Sequence, residues 1–271
     1  MKYVSPFFVF STIILAQPSF TERTIEGDFD GVISVYAVDM DGDGDMDVVG
    51  AAYDDDDIAW FENNGSQSFT EHTIAGDFDG AAGVYAVDMD GDGDMDVVAA
   101  ANADDDIAWF ENNGSQSFTE HTIAGDFDGA RSVYAVDMDG DGDMDVVAAA
   151  DVDDDIAWFE NNGSQSFTEH TIEGSFDGRS VYAVDMDGDG DMDVVGAAYD
   201  DDDIAWFENN GSQSFTERTI AGDFDGAAGV YAVDMDGDGD MDVVAAATAD
   251  DDIDWFYNLS LNNICRCRRS Y

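Results

Sequence analysis

The sequence predicts an all-β fold, a five-bladed β-propeller of four-stranded blades whose ring is closed by the N-terminal strand. Three observations predict it. The motif Val-Tyr-Ala-Val begins at Val35, Val84, Val133, Val181 and Val230, at spacings of 49, 49, 48 and 49 residues, a period that suits propeller blades rather than helical repeats. No stretch keeps a 3.6-residue apolar period, and proline is absent after Pro18. The fifth copy stops after Ile253-Asp254-Trp255-Phe256-Tyr257, one strand short. The missing strand stands at the other end, as Ser19-Phe20-Thr21-Glu22-Arg23-Thr24-Ile25, matching Ser68-Phe69-Thr70-Glu71-His72-Thr73-Ile74. Pairing the first strand with the last blade would remove the open edges that invite aggregation.

Taken in order, the chain opens with a secretory signal over residues 1–16. Lys2 supplies the positive charge, residues 7–15 the apolar run, and Ala16 a cleavage position. The run is too short to span a bilayer comfortably, and no later segment is long and apolar enough. A buried first strand is the alternative. The propeller occupies residues 19–258, with blades at about 35–74, 84–123, 133–172, 181–220 and 230–258, the last joined by 19–25.

Within the first unit, strand A is residues 35–38 and strand B is 47–53, rich in Val and Ala. An acidic turn covers 54–57. Strand C is 58–62 and holds Trp60 and Phe61. Asn63-Asn64-Gly65 reads as a type I′ hairpin turn, because Asn-Gly tolerates positive φ. Strand D is 69–74. Small residues such as Gly50-Ala51-Ala52 suit an inner strand where blades crowd, and Tyr36, Trp60, Phe61 and Phe69 suit packing between blades. Residues 259–271 form a basic tail with Cys265 and Cys267. The repeats hold no cysteine, so no disulfide framework supports the fold.

Between strands A and B lies a nine-residue loop, Asp39-Met40-Asp41-Gly42-Asp43-Gly44-Asp45-Met46-Asp47. It recurs unchanged at 88–96, 137–145, 185–193 and 234–242. The pattern is D-x-D-x-D-G-x-x-D. A loop this acidic repels itself unless a cation sits inside it. Carboxylates at positions 1, 3, 5 and 9 can point inward, and position 7 can offer its carbonyl. Glycine at position 6 permits the sharp reversal. Hard oxygen ligands without His or Cys select calcium over zinc or copper. An EF-hand would need Glu at position 12, where this chain has Gly50, Ala99, Ala148, Gly196 or Ala245, and it would need flanking helices where this chain has strands. The candidate ligands are thus Asp39, Asp41, Asp43, Asp45 and Asp47. In the second loop they are Asp88, Asp90, Asp92, Asp94 and Asp96, and in the third Asp137, Asp139, Asp141, Asp143 and Asp145. The fourth contributes Asp185, Asp187, Asp189, Asp191 and Asp193, and the fifth Asp234, Asp236, Asp238, Asp240 and Asp242. About five calcium ions are expected.

The charge balance excludes whole classes of partner. Against 64 acidic residues stand eight basic ones, a formal charge of −56. Nucleic acid binding needs Lys and Arg clusters, against which this acidic balance weighs heavily, and an anionic membrane surface is disfavoured on the same ground. Export suits the loops, because weak extracellular calcium sites work at millimolar calcium.

The run Val-Tyr-Ala-Val-Asp-Met-Asp-Gly-Asp-Gly-Asp-Met-Asp-Val-Val, followed by Ile-Ala-Trp-Phe-Glu-Asn-Asn-Gly, resembles the FG-GAP/VCBS repeats, including the blades of the integrin α-subunit head. The resemblance covers residues 19–258 and implies calcium bound between two strands, with positions 1, 3, 5 and 9 as side-chain ligands and position 7 as a carbonyl ligand. Integrin heads have seven longer blades, only some with calcium, and the FG and GAP tripeptides are not cleanly present in this chain. The family spans adhesins, lectin-like proteins and some polysaccharide lyases, so it does not fix function.

The copies differ most on the face opposite the acidic loops, between strands D and A and between B and C. That variation nominates a ligand face near Tyr53, Arg131, Arg179 and Tyr199. Acidic runs at 54–57, 104–106, 153–155, 200–203 and 250–252 ring the same face and read as solvated turns, as further cation sites or as a ring that repels acidic polysaccharides. His72, His121 and His170 share a position with Arg23 and Arg218, which suits a surface cation rather than a catalytic base. Asn64, Asn113, Asn162 and Asn210 open Asn-Gly-Ser triplets that are formal glycosylation acceptors. The expected function is a secreted or cell-surface, calcium-bound module for a glycan or extracellular protein ligand, without catalysis. The alternatives are a polysaccharide lyase or glycosidase on a propeller, and a structural piece of a larger surface protein. Near-identical copies supply little of the asymmetry that an active site needs.

Overall fold

A computed structural model describes residues 20–259. These residues form a five-bladed β-propeller with no helix. The first blade orders β1 (Val32–Val38), β2 (Asp47–Ala52), β3 (Asp57–Asn63) and β4 (Phe69–Ala75) from the inside outward. The second holds β5 (Ala81–Val87), β6 (Asp96–Ala101), β7 (Asp106–Asn112) and β8 (Phe118–Ala124). The third holds β9 (Ala130–Val136), β10 (Asp145–Ala150), β11 (Ile156–Asn161) and β12 (Phe167–Glu173). The fourth holds β13 (Gly178–Val184), β14 (Asp193–Ala198), β15 (Asp203–Asn209) and β16 (Phe215–Ala221). The fifth has three strands, β17 (Ala227–Val233), β18 (Asp242–Ala247) and β19 (Asp252–Phe256). Every pairing is antiparallel.

The blades stack through small and aromatic side chains. In β6 the run Asp-Val-Val-Ala-Ala-Ala is buried throughout, because an inner strand is covered on both faces by neighbouring blades. Successive inner strands meet through a tyrosine ladder, Tyr36, Tyr85, Tyr134, Tyr182 and Tyr231, with ring centroids 4.6–4.8 Å apart. Each blade-to-blade connection inserts a phenylalanine edge-on against the next β3-type strand, as Phe78 does on Phe110 at 5.4 Å. Trp60, Trp109 and Trp158 are 1–2% exposed.

His72, His121 and His170 lie on the outermost strands. Each stacks on the tryptophan beside it and meets a glutamate at 2.7–2.8 Å. Arg218 sits over Trp206 and pairs with Glu208 in the same way. The His-to-Arg exchange therefore keeps one geometry, a planar nitrogen donor between an indole face and a carboxylate.

Three readings need correction. Residues 20–25 form no strand and do not complete the fifth blade. Residues 23–27 instead lie against the first blade, around a cavity of about 470 Å³ shared with Val35, Val48 and Phe61. Closure would need β17 to pack on β1, and the tyrosine ladder ends at Tyr231 without returning to Tyr36. Ile33 and Val35 are 54% and 65% exposed, and Ile253 is 79% exposed where Ile58 is fully buried. Second, the inner strands start three residues earlier than the motif suggests, through a β-bulge at Ile33, Ala82, Arg131, Arg179 and Ala228. These positions read as loop because a bulge breaks the two-residue alternation. Third, the outer hairpin is not type I′. Asn64 N–H donates to the Ser68 carbonyl across a five-residue loop, and the left-handed residues are Gly65 and Gln67. The signal segment 1–16 and the cysteines lie outside the described residues.

The exposed edge makes a measurable difference. Trp109→Ala should cost about 3–5 kcal/mol in chemical denaturation. Trp255→Ala, at the 45% exposed equivalent in β19, should cost less than half as much. Equal costs would mean that another segment covers β19 in solution.

Candidate functional site

Each acidic loop is built by its own aspartates. Asp88 accepts the N–H groups of Gly91 and Gly93 at 2.8 and 3.0 Å. Asp90 accepts from Asp92, and Asp92 from Asp94, at 3.0 and 2.9 Å. These local bonds coil the loop tightly, and the coil needs positive φ at position 6, where Gly93 has 99°. The same bonds recur in the other loops, as in Gly142 N–H to Asp137 and Gly190 N–H to Asp185.

Position 9 closes the cradle. Asp47, Asp96, Asp145, Asp193 and Asp242 are 0–2% exposed. One carboxylate oxygen of Asp96 accepts the Met89 N–H at 2.9 Å, and the other accepts the Asn112 N–H at 2.7 Å. Asn112 also donates its side-chain amide to the Met95 carbonyl and accepts from Gly114 and Gln116. This asparagine, equivalent to Asn63, Asn161, Asn209 and Asn258, ties the β3-type strand to the acidic loop, and sequence reasoning missed it. A signal was present: the fifth copy keeps Asn258 after losing the Asn-Gly turn, so the first asparagine does not serve the turn alone.

Asp88, Asp90 and Asp96 bring carboxylate oxygens within 4.8 Å of one another. So do the corresponding trios Asp137, Asp139, Asp145; Asp185, Asp187, Asp193; and Asp234, Asp236, Asp242. In the first loop the trio is Asp39, Asp41 and Asp43. Position 7 belongs to no trio. The Asp45 side chain leans instead on the outer hairpin, where a Cβ on Gly65 would stand 2.4 Å from its oxygen, and Gly114, Gly163 and Gly211 face Asp94, Asp143 and Asp191 in the same way. The acidic loops and the outer hairpins thus share one face.

The trios fit a hard dication. Oxygens bound to calcium at about 2.3–2.6 Å can be at most about 5 Å apart, the span seen. One oxygen of Asp39 is buried without a hydrogen-bond partner. Burial pushes the Asp96 carboxyl up to about 6 against the pull of N–H bonds from Asn112 and Met89. Asp145 is pushed to about 7 and Asp193 to about 6 by the same balance. Burial followed by neighbouring carboxylates raises Asp187. A carboxylate held this far above its ordinary range lacks a positive neighbour.

The opposite face carries the other nominated residues. Arg131 lies 5.7 Å from the Tyr53 ring centroid and donates to Asp151 at 2.5 Å. Arg179 lies 4.1 Å from the Tyr199 ring centroid. The acidic runs on that face accept backbone N–H groups from the blade-to-blade connections on either side of them. Gly80 donates to Asp56 at 2.8 Å and Asp79 to Asp104 at 2.9 Å, so these runs hold blades together.

Two outcomes are expected. Asp90→Asn keeps the acceptor for Asp92 N–H and removes one charge, so calorimetry should count one fewer calcium ion than in the parent chain. In the chelated chain the raised carboxyls bind more protons folded than unfolded. Their contribution to stability is full below the unfolded value of 3.8 and is lost as pH rises through about 6 to 7. The metal-free Tm should therefore rise on acidification from pH 7 to 5. Saturating calcium should abolish that rise.

The chain matches the FG-GAP-like repeat over residues 39–99, 88–148, 137–196 and 185–245. No curated protein matches it. Among solved structures it is similar to a candidate 6-phosphogluconolactonase from Bacteroides uniformis at 13% identity and a TM-score of 0.55, covering 79% of this chain and 64% of that one. A protein from Lactobacillus plantarum is 17% identical with a TM-score of 0.55, covering 84% and 71%. A protein of unknown function from Desulfotomaculum acetoxidans is 12% identical with a TM-score of 0.56, covering 84% and 69%. The chain thus spans less than two thirds of the length of the first, and at these identities the likeness concerns the fold. Four tandem matches over most of its length place the chain in the FG-GAP-like repeat family.

Proposed function

We propose that the protein is a calcium-loaded binding module working outside the cell, with calcium in the five acidic loops and a glycan or extracellular protein held on the opposite face. The observation that carries this reading is the fivefold recurrence of a trio of carboxylates, closed in four of the five loops by a buried aspartate. Repulsion within each trio opposes folding, and a dication converts it to attraction. The apolar run after Lys2 supports export, and the described residues contain no helix long and apolar enough to cross a membrane.

A binding role is favoured over catalysis by the symmetry of the copies. A catalytic centre needs one set of groups in special environments, whereas the raised carboxyls recur from blade to blade. The likeness to a candidate lactonase is one of fold and supplies no catalytic residue.

At 100 times Kd each ion would add about 2.7 kcal/mol to folding. Differential scanning calorimetry with and without chelator should show Tm falling sharply when calcium is removed, and metal analysis should count about five ions per chain. An unchanged Tm, or a chain that takes up no calcium, would overturn the reading.

A further inference from the structure

At the mouth opposite the acidic loops, the five inner strands surround a cavity of about 360 Å³. Its wall includes the bulge residues Ile33, Ala82, Arg131, Arg179 and Ala228, one from each blade. A bulge residue has no partner across the ladder, and its side chain is re-aimed. Here the register break presents those side chains to the propeller axis.

The described residues contain four arginines and no lysine. Two of the four line this one cavity, and their environments differ for a readable reason. In the third blade the end of β10 is followed by Asp151, which binds Arg131 at 2.5 Å. Asn102 donates to the other Asp151 oxygen at 3.2 Å and accepts from the Tyr53 hydroxyl at 3.1 Å. Arg131 is thus neutralised and locked. In the fourth blade the residue equivalent to Asp151 is Tyr199. Arg179 stacks on that ring and has no ion-pair partner among the described residues. In a chain with 64 acidic residues, an arginine at a central cavity without a carboxylate is held apart from the many available.

Three serines share the wall. Ser34, Ser132 and Ser180 each accept a backbone N–H from the next blade, of Val84, Val181 and Val230, at 3.2–3.3 Å. A hydroxyl has a single hydrogen, and accepting leaves it free to donate. The cavity therefore offers one uncompensated guanidinium, hydroxyl donors around the axis and small side chains that leave room.

We propose that this cavity binds a monosaccharide-sized hydroxy acid, a single uronic acid residue on an otherwise neutral glycan, with its carboxylate on Arg179 and its hydroxyls against the serines. The inference rests on the module reading and names its ligand class. Charge matching selects a monocarboxylate over phosphate: one free guanidinium balances one negative charge, while a second would face the surrounding acidic runs unbalanced. The planar guanidinium suits a carboxylate in bidentate geometry, and the Tyr199 ring holds it flat. The volume lies within the range of small-molecule sites.

The test uses the full calcium-loaded chain titrated with sodium glucuronate, glucose and inorganic phosphate by calorimetry and by NMR. Glucuronate should bind, glucose should bind at least about tenfold more weakly, and phosphate should not displace glucuronate. Arg179→Gln should weaken glucuronate about tenfold or more with Tm unchanged, and Arg179→Lys should restore part of the loss. If Arg179→Gln unfolds the chain, Ser180→Ala and chemical-shift changes at the cavity serines Ser34, Ser132 and Ser180 carry the test. Absence of glucuronate binding, equal binding of glucose, or binding unaffected by Arg179→Gln would overturn the assignment. A chain that kept calcium-dependent stability and held another glycan or protein with Arg179→Gln would sink this site alone. A chain indifferent to calcium would sink the module reading instead.

Discussion

A buried carboxylate with two backbone bonds and no counter-charge governs this molecule. In each blade the aspartate that ends the acidic loop receives the N–H at the start of that loop and the N–H at the end of the third strand. It therefore fixes the loop to the sheet at two points more than a dozen residues apart. Apolar blades around it make the fixing firm, and burial makes the negative charge expensive. The carboxylate is thus held in place where its charge is electrostatically least comfortable, which is the condition a dication relieves.

Much of this was legible in the letters because it is repeated. The period of about 49, the glycine at loop position 6 and the spacing of the aspartates each have a local cause that does not depend on distant partners. The parts that were not legible are those set between blades or by the register. A bulge at Arg131 or Arg179 leaves no mark in a run such as Ala-Arg-Ser. Asn112 looks like half of an Asn-Gly turn until its amide is found on the Met95 carbonyl. Likewise, Ser19 to Ile25 copies an outer strand by sequence, yet the copy says nothing about whether the fifth blade reaches the first.

The departures from symmetry carry more information about recognition than the symmetry does. Where five blades agree, packing or the hydrogen bonds of the acidic loops account for the agreement. Where they disagree, at the bulge and at the residue after the second strand, the third and fourth blades acquire arginines with different counterparts, Asp151 and Tyr199. The acidic runs on that face follow the first rule. Their carboxylates accept backbone N–H groups across the blade boundary, so their charge is a by-product of a structural bond.

Among the described residues the first and fifth blades share no strand, which gives the array two ends, and the ends are loose. The inner strand of the second blade is buried along most of its length, while that of the first is largely exposed and the last strand of the fifth has lost nearly all cover. Stability in such an array accumulates from neighbour contacts, so units flanked on both sides hold longest. Denaturation then becomes a fraying process that starts at the seam and consumes the circle from both directions, with the middle blade as the last to go.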